Sequence, residues 1–549
     1  MKKTIHIILA GALVLCAASC NSYLETDTAV TDSGAPVILT ATYADPVTKA
    51  TISESDGEFA FSAGDAIKVF DGTDTFSGTT ADGGTAASFT MDSGFDVSGA
   101  GLAAFPSKLV TSISSATAVT FEFPSSYAYS EVGGADADAA RVPVPMVAVK
   151  AAGSTALAFK QVGSLIRFRL TRCMEGVLHF TFTTAVTGTA ALTAVDPGTT
   201  EVTASSLSGT TRMTIAVTGV PEVASGSYIY ITLPVPVGTD PKNVSVVNLG
   251  GGSVASATLS GTAAALERAG GYKRGVTLGE ATTPEFSISA TKKVSFSPGN
   301  LQATYSASDE TWTWHFAANQ FDYIGNNPGN TTITTELKEE SEPYARLSAD
   351  GTVDLFDWST TWNYYGISTS QPEGSVGDWV FVDWGGLAIE HHAADFWHTL
   401  SSWDEYNYLL NTRSASTIGS TENARFLKTT VCSYHGLVIF PDDFTWDEAT
   451  MGTAPACNNT GAYSGTGSFT PAQWAAMEAA GAVFLPVAGQ RTSPAVVYVE
   501  QRGGYWSAES PNLAMGPRYL YFPFETYGKV GYEWRYGNNR VSVRLVHEL

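Results

Sequence analysis

From Val37 to about residue 280 the chain is a succession of short apolar-alternating runs broken by glycine and proline, with no helical periodicity. That pattern admits little besides antiparallel sheets packed face to face. The runs include Val37-Ile38-Leu39-Thr40-Ala41-Thr42-Tyr43, Asp65-Ala66-Ile67-Lys68-Val69-Phe70 and Leu165-Ile166-Arg167-Phe168-Arg169-Leu170. In the last of these Ile166, Phe168 and Leu170 share one face and the arginines the other, as in a half-buried strand. A second block carries Leu178-His179-Phe180-Thr181-Phe182, Met213-Thr214-Ile215-Ala216-Val217 and Tyr228-Ile229-Tyr230-Ile231-Thr232-Leu233. A helix-free stretch of roughly 240 residues exceeds one core and divides into two sandwiches, 36–150 and 151–281.

The remainder needs a different core, because all twelve tryptophans lie beyond residue 300. Two helix starts are legible there. Ser402-Trp403-Asp404-Glu405 and Thr470-Pro471-Ala472-Gln473 are capping boxes, the second with proline at the first helical position. Short strands surround them, among them Leu437-Val438-Ile439-Phe440 and Val483-Phe484-Leu485. The expectation is a mainly β chain in which an α+β domain over 286–549 follows the two sandwiches.

Acidic residues outnumber basic ones 53 to 30, a net charge of −23, which repels phosphate backbones and argues against nucleic acid as a partner. Lys2 and Lys3 precede a short apolar run from Ile5 to Ala18, the form of an export signal. Ala17-Ala18-Ser19-Cys20 resembles a bacterial lipobox. That likeness implies a signal peptide over 1–19, lipidation of Cys20, a tether over 20–35, and anchoring to the outer membrane; ordinary cleavage is the alternative. Beyond Cys20 the cysteines are Cys173, Cys432 and Cys457, without the paired spacing of a structural zinc site. Cys432 and Cys457 either pair in a disulfide or stand as two buried thiols.

The order of motifs Thr48-Lys49-Ala50-Thr51-Ile52, Phe61-Ser62-Ala63-Gly64-Asp65, Phe105-Pro106, Val144-Pro145-Met146 and Leu157-Ala158-Phe159-Lys160 resembles the fimbrillin family of lipoprotein pilins. The resemblance covers about residues 36–280. It implies two transthyretin-like sandwiches, cell-surface exposure, and assembly with other pilin subunits by donor-strand exchange. In that mode a strand lost to proteolysis is replaced by a neighbour's strand. Lys49 is then a candidate cleavage position.

The last 264 residues resemble the C-type-lectin-like fold, in the branch called the Fibrobacter-type major paralogous domain. The matching stretches include Val294-Ser295-Phe296-Ser297-Pro298-Gly299-Asn300, Phe316-Ala317-Ala318-Asn319-Gln320-Phe321, Trp397-His398-Thr399-Leu400, Gly504-Tyr505-Trp506-Ser507 and Ser542-Val543-Arg544-Leu545-Val546. The related formylglycine-generating enzymes need a reactive cysteine pair in the C-terminal part, and no cysteine follows Cys457, so that activity is rejected. Calcium lectins of this fold pair a Glu-Pro-Asn type loop with Trp-Asn-Asp. Gln371-Pro372-Glu373 has no such partner, which argues against calcium-dependent sugar capture.

His391, Asp395 and His398 would share a face if their segment were helical, but the matching stretch of the resembled family is a loop without ligands, so no metal is expected. Gly250 to Gly252 reads as a hairpin turn, not a phosphate cradle, because no helix with Lys-Ser/Thr follows. Trp312 and Trp314 read as sheet core. In the resembled fold the C-terminal segment forms the usual ligand surface, and here it is dense in the side chains on which binding energy concentrates. The candidate contacts are Arg518, Tyr519, Tyr521, Tyr527, Tyr532, Trp534, Arg535, Tyr536 and Asn538. Alternation turns Tyr519 and Tyr521 outward, with Leu520, Phe522, Val541, Val543 and Leu545 as framework. The competing reading is that these aromatics pack one another at a sheet edge.

The expectation is a pilus tip adhesin binding a host or microbial glycan or protein, without cofactor or catalysis. Alternatives are a non-pilus lipoprotein binding polysaccharide, with or without a retroelement-diversified C-terminal surface, and a glycan-active enzyme.

Overall fold

The computed structural model describes residues 36–45, 59–135, 143–325, 333–338, 342–360, 364–367, 380–461, 463, 467–492, 495–510, 516–524, 529–534 and 540–549. The chain is mainly β. Seven strands of the first module close on themselves in the order Ile38–Tyr43, Ala156–Gln161, Met146–Lys150, Gly101–Phe105, Ala66–Phe70, Thr75–Thr80, Ala86–Met91. The alternation read from the sequence sets the inside. Leu39 and Ala41 are fully buried while Ile38 between solvent and strand edge is 51% exposed. Phe61 fills the centre, edge-on to Phe89, Phe105 and Phe159. Ile38–Tyr43 closes the barrel, antiparallel to Ala86–Met91 but parallel to Ala156–Gln161.

A single cut near Ala151 does not describe the first two modules. After Phe105 the chain leaves the barrel. Ala118–Phe123 pairs with Thr187–Leu192, Ser126–Ala128 with Thr214–Val220, and Gly133–Gly134 with Ile229–Val235. It then returns for the barrel strands Met146–Lys150 and Ala156–Gln161. The cause is where the apolar side chains are buried. Phe121, Phe123 and Val132 share a core with Phe168, Phe180, Ile215 and Ile231, to which Leu102, Ala104 and Val147 add the outer face of the barrel, and not with the cluster around Phe61 inside it. Residues 110–134 therefore belong to the second module and 156–161 to the first. The two are tied by Asp45, whose carboxylate accepts from Gln161 N (2.6 Å) and from Arg268 Nη1 (2.9 Å).

The glycine run turns the hairpin between Val244–Gly250 and Ser253–Leu259. Gly251 and Gly252 have φ of 57° and 82°, the left-handed backbone of a two-residue hairpin turn. A Cβ on Gly252 would lie 2.1 Å from Ser295 Oγ, so the turn also lets the second module approach the next region closely.

That region is closed by its own ends, since Lys293–Phe296 pairs with Val546–Glu548. Both expected helices form. Ser402 Oγ accepts from Glu405 N ahead of Trp403–Asn407, although Glu405 reaches back to Ser401 N instead of Ser402. Thr470 and Gln473 cap Pro471–Ala479 reciprocally. Thr470→Ala is expected to lower stability by about 1 kcal/mol, read by chemical unfolding; an unchanged midpoint would show that the cap contributes nothing. The tryptophans are built into cores separate from the first two modules, with Trp314, Trp358, Trp384, Trp397 and Trp506 in one apolar cluster and Trp474 in another.

Helix Pro471–Ala479 lies on the sheet of the second module. Ala318 and Ala479 pack against Val177, Ala216, Val247, Leu249 and Val254. Polar groups cross the same joint. Arg212 Nη1 meets Asp322 Oδ1 at 2.5 Å, His391 Nδ1 meets Glu175 at 3.1 Å, and the buried His179 meets Glu478 at 2.7 Å.

Candidate functional site

Strand Arg518–Pro523 lies between Arg502–Trp506 and Gly531–Trp534, all antiparallel. It is buried on both faces. Leu520 and Phe522 join Tyr505, Leu409 and Leu410 in one core, while Tyr519 joins Trp506, Trp358 and Trp397 in another. Tyr519 is 1% exposed, its hydroxyl donating to Glu533 Oε2 at 3.1 Å. The outward placement read from period-two alternation therefore fails for Tyr519. Alternation distinguishes the two faces of a strand, and here each face meets a core. Tyr521 is half-buried against the tryptophan cluster. The framework residues Leu520, Phe522, Val541, Val543 and Leu545 are all buried.

What this sheet presents to solvent is its outer edge. Tyr532 is 43% exposed, its ring 4.9 Å from that of Trp403. The Arg518 guanidinium sits 5.0 Å from the centre of the same ring and donates to Glu509 Oε1 at 3.3 Å. Glu509 Oε2 accepts from Trp403 N at 2.7 Å. A cation over an aromatic face, held by a carboxylate that also fixes the neighbouring helix start, makes a flat contact platform with few free rotamers. Trp403 was legible in the sequence only as a helix residue. Its place in the platform follows from tertiary packing.

A second aromatic group lies close by. The His435 ring stacks on Phe524 at 4.8 Å and Tyr463 contacts the same ring at 4.8 Å. Beneath them Lys428 Nζ donates to Pro523 O and Gly461 O, and burial pulls its pKa down to about 8. A lysine inside the strand Phe426–Val431 gave no sign of this from spacing.

Of the remaining candidates, Tyr527, Arg535, Tyr536 and Asn538 lie outside the described residues, as do Cys20 and Lys49. Trp534 ends the strand Gly531–Trp534. Cys432 and Cys457 are free thiols, so the disulfide is not formed. They contribute to the same apolar core, and burial pushes both up to about 12, which keeps them protonated and unreactive. Residues 389–398 are turns, with Glu390 and Asp395 at φ of 53° and 69°, so His391, Asp395 and His398 share no helix face. Among the described residues no three His, Cys, Asp or Glu side chains converge as metal ligands.

No family model matches the chain, and no curated protein matches it. Among solved structures it is similar to a cell adhesion candidate from Bacteroides uniformis, at 13% identity and a TM-score of 0.27, covering 46% of this chain and 96% of that one. A cell adhesion candidate from Bacteroides ovatus aligns at 10% identity and a TM-score of 0.26, covering 45% and 97%. A fimbrial protein from Bacteroides ovatus aligns over 93% of this chain and 99% of its own, at 13% identity and a TM-score of 0.20. Scores in this range do not define a common fold, and the functional reading rests on the residues themselves.

Proposed function

We propose that the chain is a cell-surface adhesin of the pilus type that binds a glycan or protein through its C-terminal region. The observation that carries the binding reading is the platform of Trp403, Tyr532 and Arg518 on a sheet anchored in two cores. Stacking aromatics and a guanidinium suit the apolar face and hydroxyls of a sugar ring, or a protein side chain, and need neither metal nor covalent chemistry. Tyr532→Ala and Trp403→Ala are each expected to weaken binding on a glycan or cell-surface array by ~30-fold, about 2 kcal/mol, with folding intact for the exposed Tyr532. Unchanged binding in both variants would move the site elsewhere.

Pilus assembly is the second half of the proposal. Ile38–Tyr43 contributes just two fully buried side chains, Leu39 and Ala41, to the barrel and precedes Lys49 closely. Its loss would open the strand edges of Ala86–Met91 and Ala156–Gln161 to a donor strand. A bulky C-terminal region suits a tip position. The mature chain is then expected to co-purify with shaft pilins after losing residues up to Lys49; recovery only as intact, unassembled lipoprotein would favour the non-pilus alternative.

A further inference from the structure

The joint between the second module and the C-terminal region contains a cavity of about 30 Å³, lined by Leu249, Gly252, Gln320, Glu478, Ala482 and Arg544. That volume holds one water-sized particle. Arg544, in the closing stretch of the chain, is 1% exposed. Its Nη2 donates to Gln320 Oε1 at 2.7 Å, but Nε and Nη1 meet no acceptor among the described residues. Buried guanidinium N–H groups without acceptors are unfavourable enough that native structures rarely leave them so.

The charges around the cavity do not cancel. Gln320 Nε2 donates to Glu478 Oε1 at 3.0 Å, and Glu478 Oε2 meets His179 Nδ1 at 2.7 Å. The other ring nitrogen, Nε2, lies 2.7 Å from Ala318 O. A backbone carbonyl can only accept, and a carboxylate likewise, so both ring nitrogens carry protons and His179 is an imidazolium. His179 and Arg544 bring one positive charge each and Glu478 one negative, which leaves a single positive charge over. The adjacent Arg212 and Asp322 neutralise each other. Burial lowers the Arg544 pKa to about 10, still far above neutrality.

We propose that this cavity is a binding site for one monovalent anion of halide size, held by Nε and Nη1 of Arg544. Such an ion supplies the missing acceptor and the missing charge together, and a water supplies only the first. Bound at the joint, it would hold the C-terminal region on the second module.

The decisive experiment is a crystal of the mature chain grown or soaked in bromide. An anomalous peak within hydrogen-bonding reach of Arg544 Nε and Nη1 is expected, and a map with no anomalous peak there overturns the proposal whether or not a water is seen. In solution, replacing gluconate by chloride at constant ionic strength is expected to raise the unfolding midpoint and then level off. A flat or unsaturating response counts against it. Arg544→Lys, which keeps the charge but loses the fork, is expected to abolish the saturable rise; persistence of that rise would place the ion elsewhere. Should that variant fail to fold, the bromide map of the unaltered protein still decides.

Discussion

His179→Ala is expected to cost about 3–5 kcal/mol at the joint between the second module and the C-terminal region, the range found when one partner of a buried ion pair is removed. The side chain is 3% exposed and Glu478 2%, so neither can turn to water when the other is lost. Among the described residues the Glu478 carboxylate would keep only Gln320 as a side-chain donor, and Ala318 O would lose the His179 ring nitrogen. Limited proteolysis and calorimetry read the effect. The variant should show the C-terminal region cleaved or melting ahead of the second module, while a single transition at the wild-type midpoint would show that the pair does not hold the joint. The pH dependence has a fixed sign. Burial lowers the His179 pKa, but the charge and hydrogen bond of Glu478, with the Ala318 carbonyl, outweigh it and hold the pKa above its ordinary 6.5. A raised folded-state pKa gives stability that is fully present below about 6.5 and is lost as pH rises through the folded value. His392, packed near the same joint, acts oppositely. Burial depresses its pKa, so its contribution is present above about 6.5 and lost on acidification. The difference in pH profile between wild type and Glu478→Gln isolates the His179 term, and identical slopes above pH 6.5 would refute it.

What could be read from the sequence divides by how local its cause is. The side-chain cap at Ser402 and the capping box at Thr470 act within four residues, and both helices begin where the sequence places them. The separate tryptophan core and the buried framework from Leu520 to Leu545 follow from composition and parity alone. The exchange of residues 110–134 into the second module was not legible, because the alternation of Phe121 and Phe123 says that a strand has a buried face, not whose core it meets. The same limit hid His179. Between Leu178 and Phe180 it reads as an ordinary strand residue, and its partner lies 299 positions further on. Conversely, the spacing of His391, Asp395 and His398 was suggestive only for a helix, which left-handed residues at 390 and 395 preclude.

The widest gap between the two readings is at Tyr519, and it yields the sharpest test of the candidate site. A surface tyrosine serving only as a ligand contact could be truncated with little loss of stability. Tyr519→Ala is instead expected to destabilise the C-terminal region by about 3–5 kcal/mol, the usual cost of emptying an aromatic core position. The ring packs edge-on to Trp506 at 5.4 Å, and Trp506 Nε1 donates to Phe356 O at 2.7 Å, so the cavity would open beside a hydrogen-bonded tryptophan. Truncation also frees Glu533 from the Tyr519 hydroxyl on the neighbouring strand. That strand carries Tyr532, so binding should fall along with stability in Tyr519→Ala, whereas Tyr532→Ala should lose binding alone. Tyr519→Phe separates packing from the hydrogen bond, and it should retain most of the stability because the ring remains. Denaturant midpoints for the three variants decide the matter. Wild-type stability in Tyr519→Ala would return this residue to the surface and reopen the outward reading of the strand.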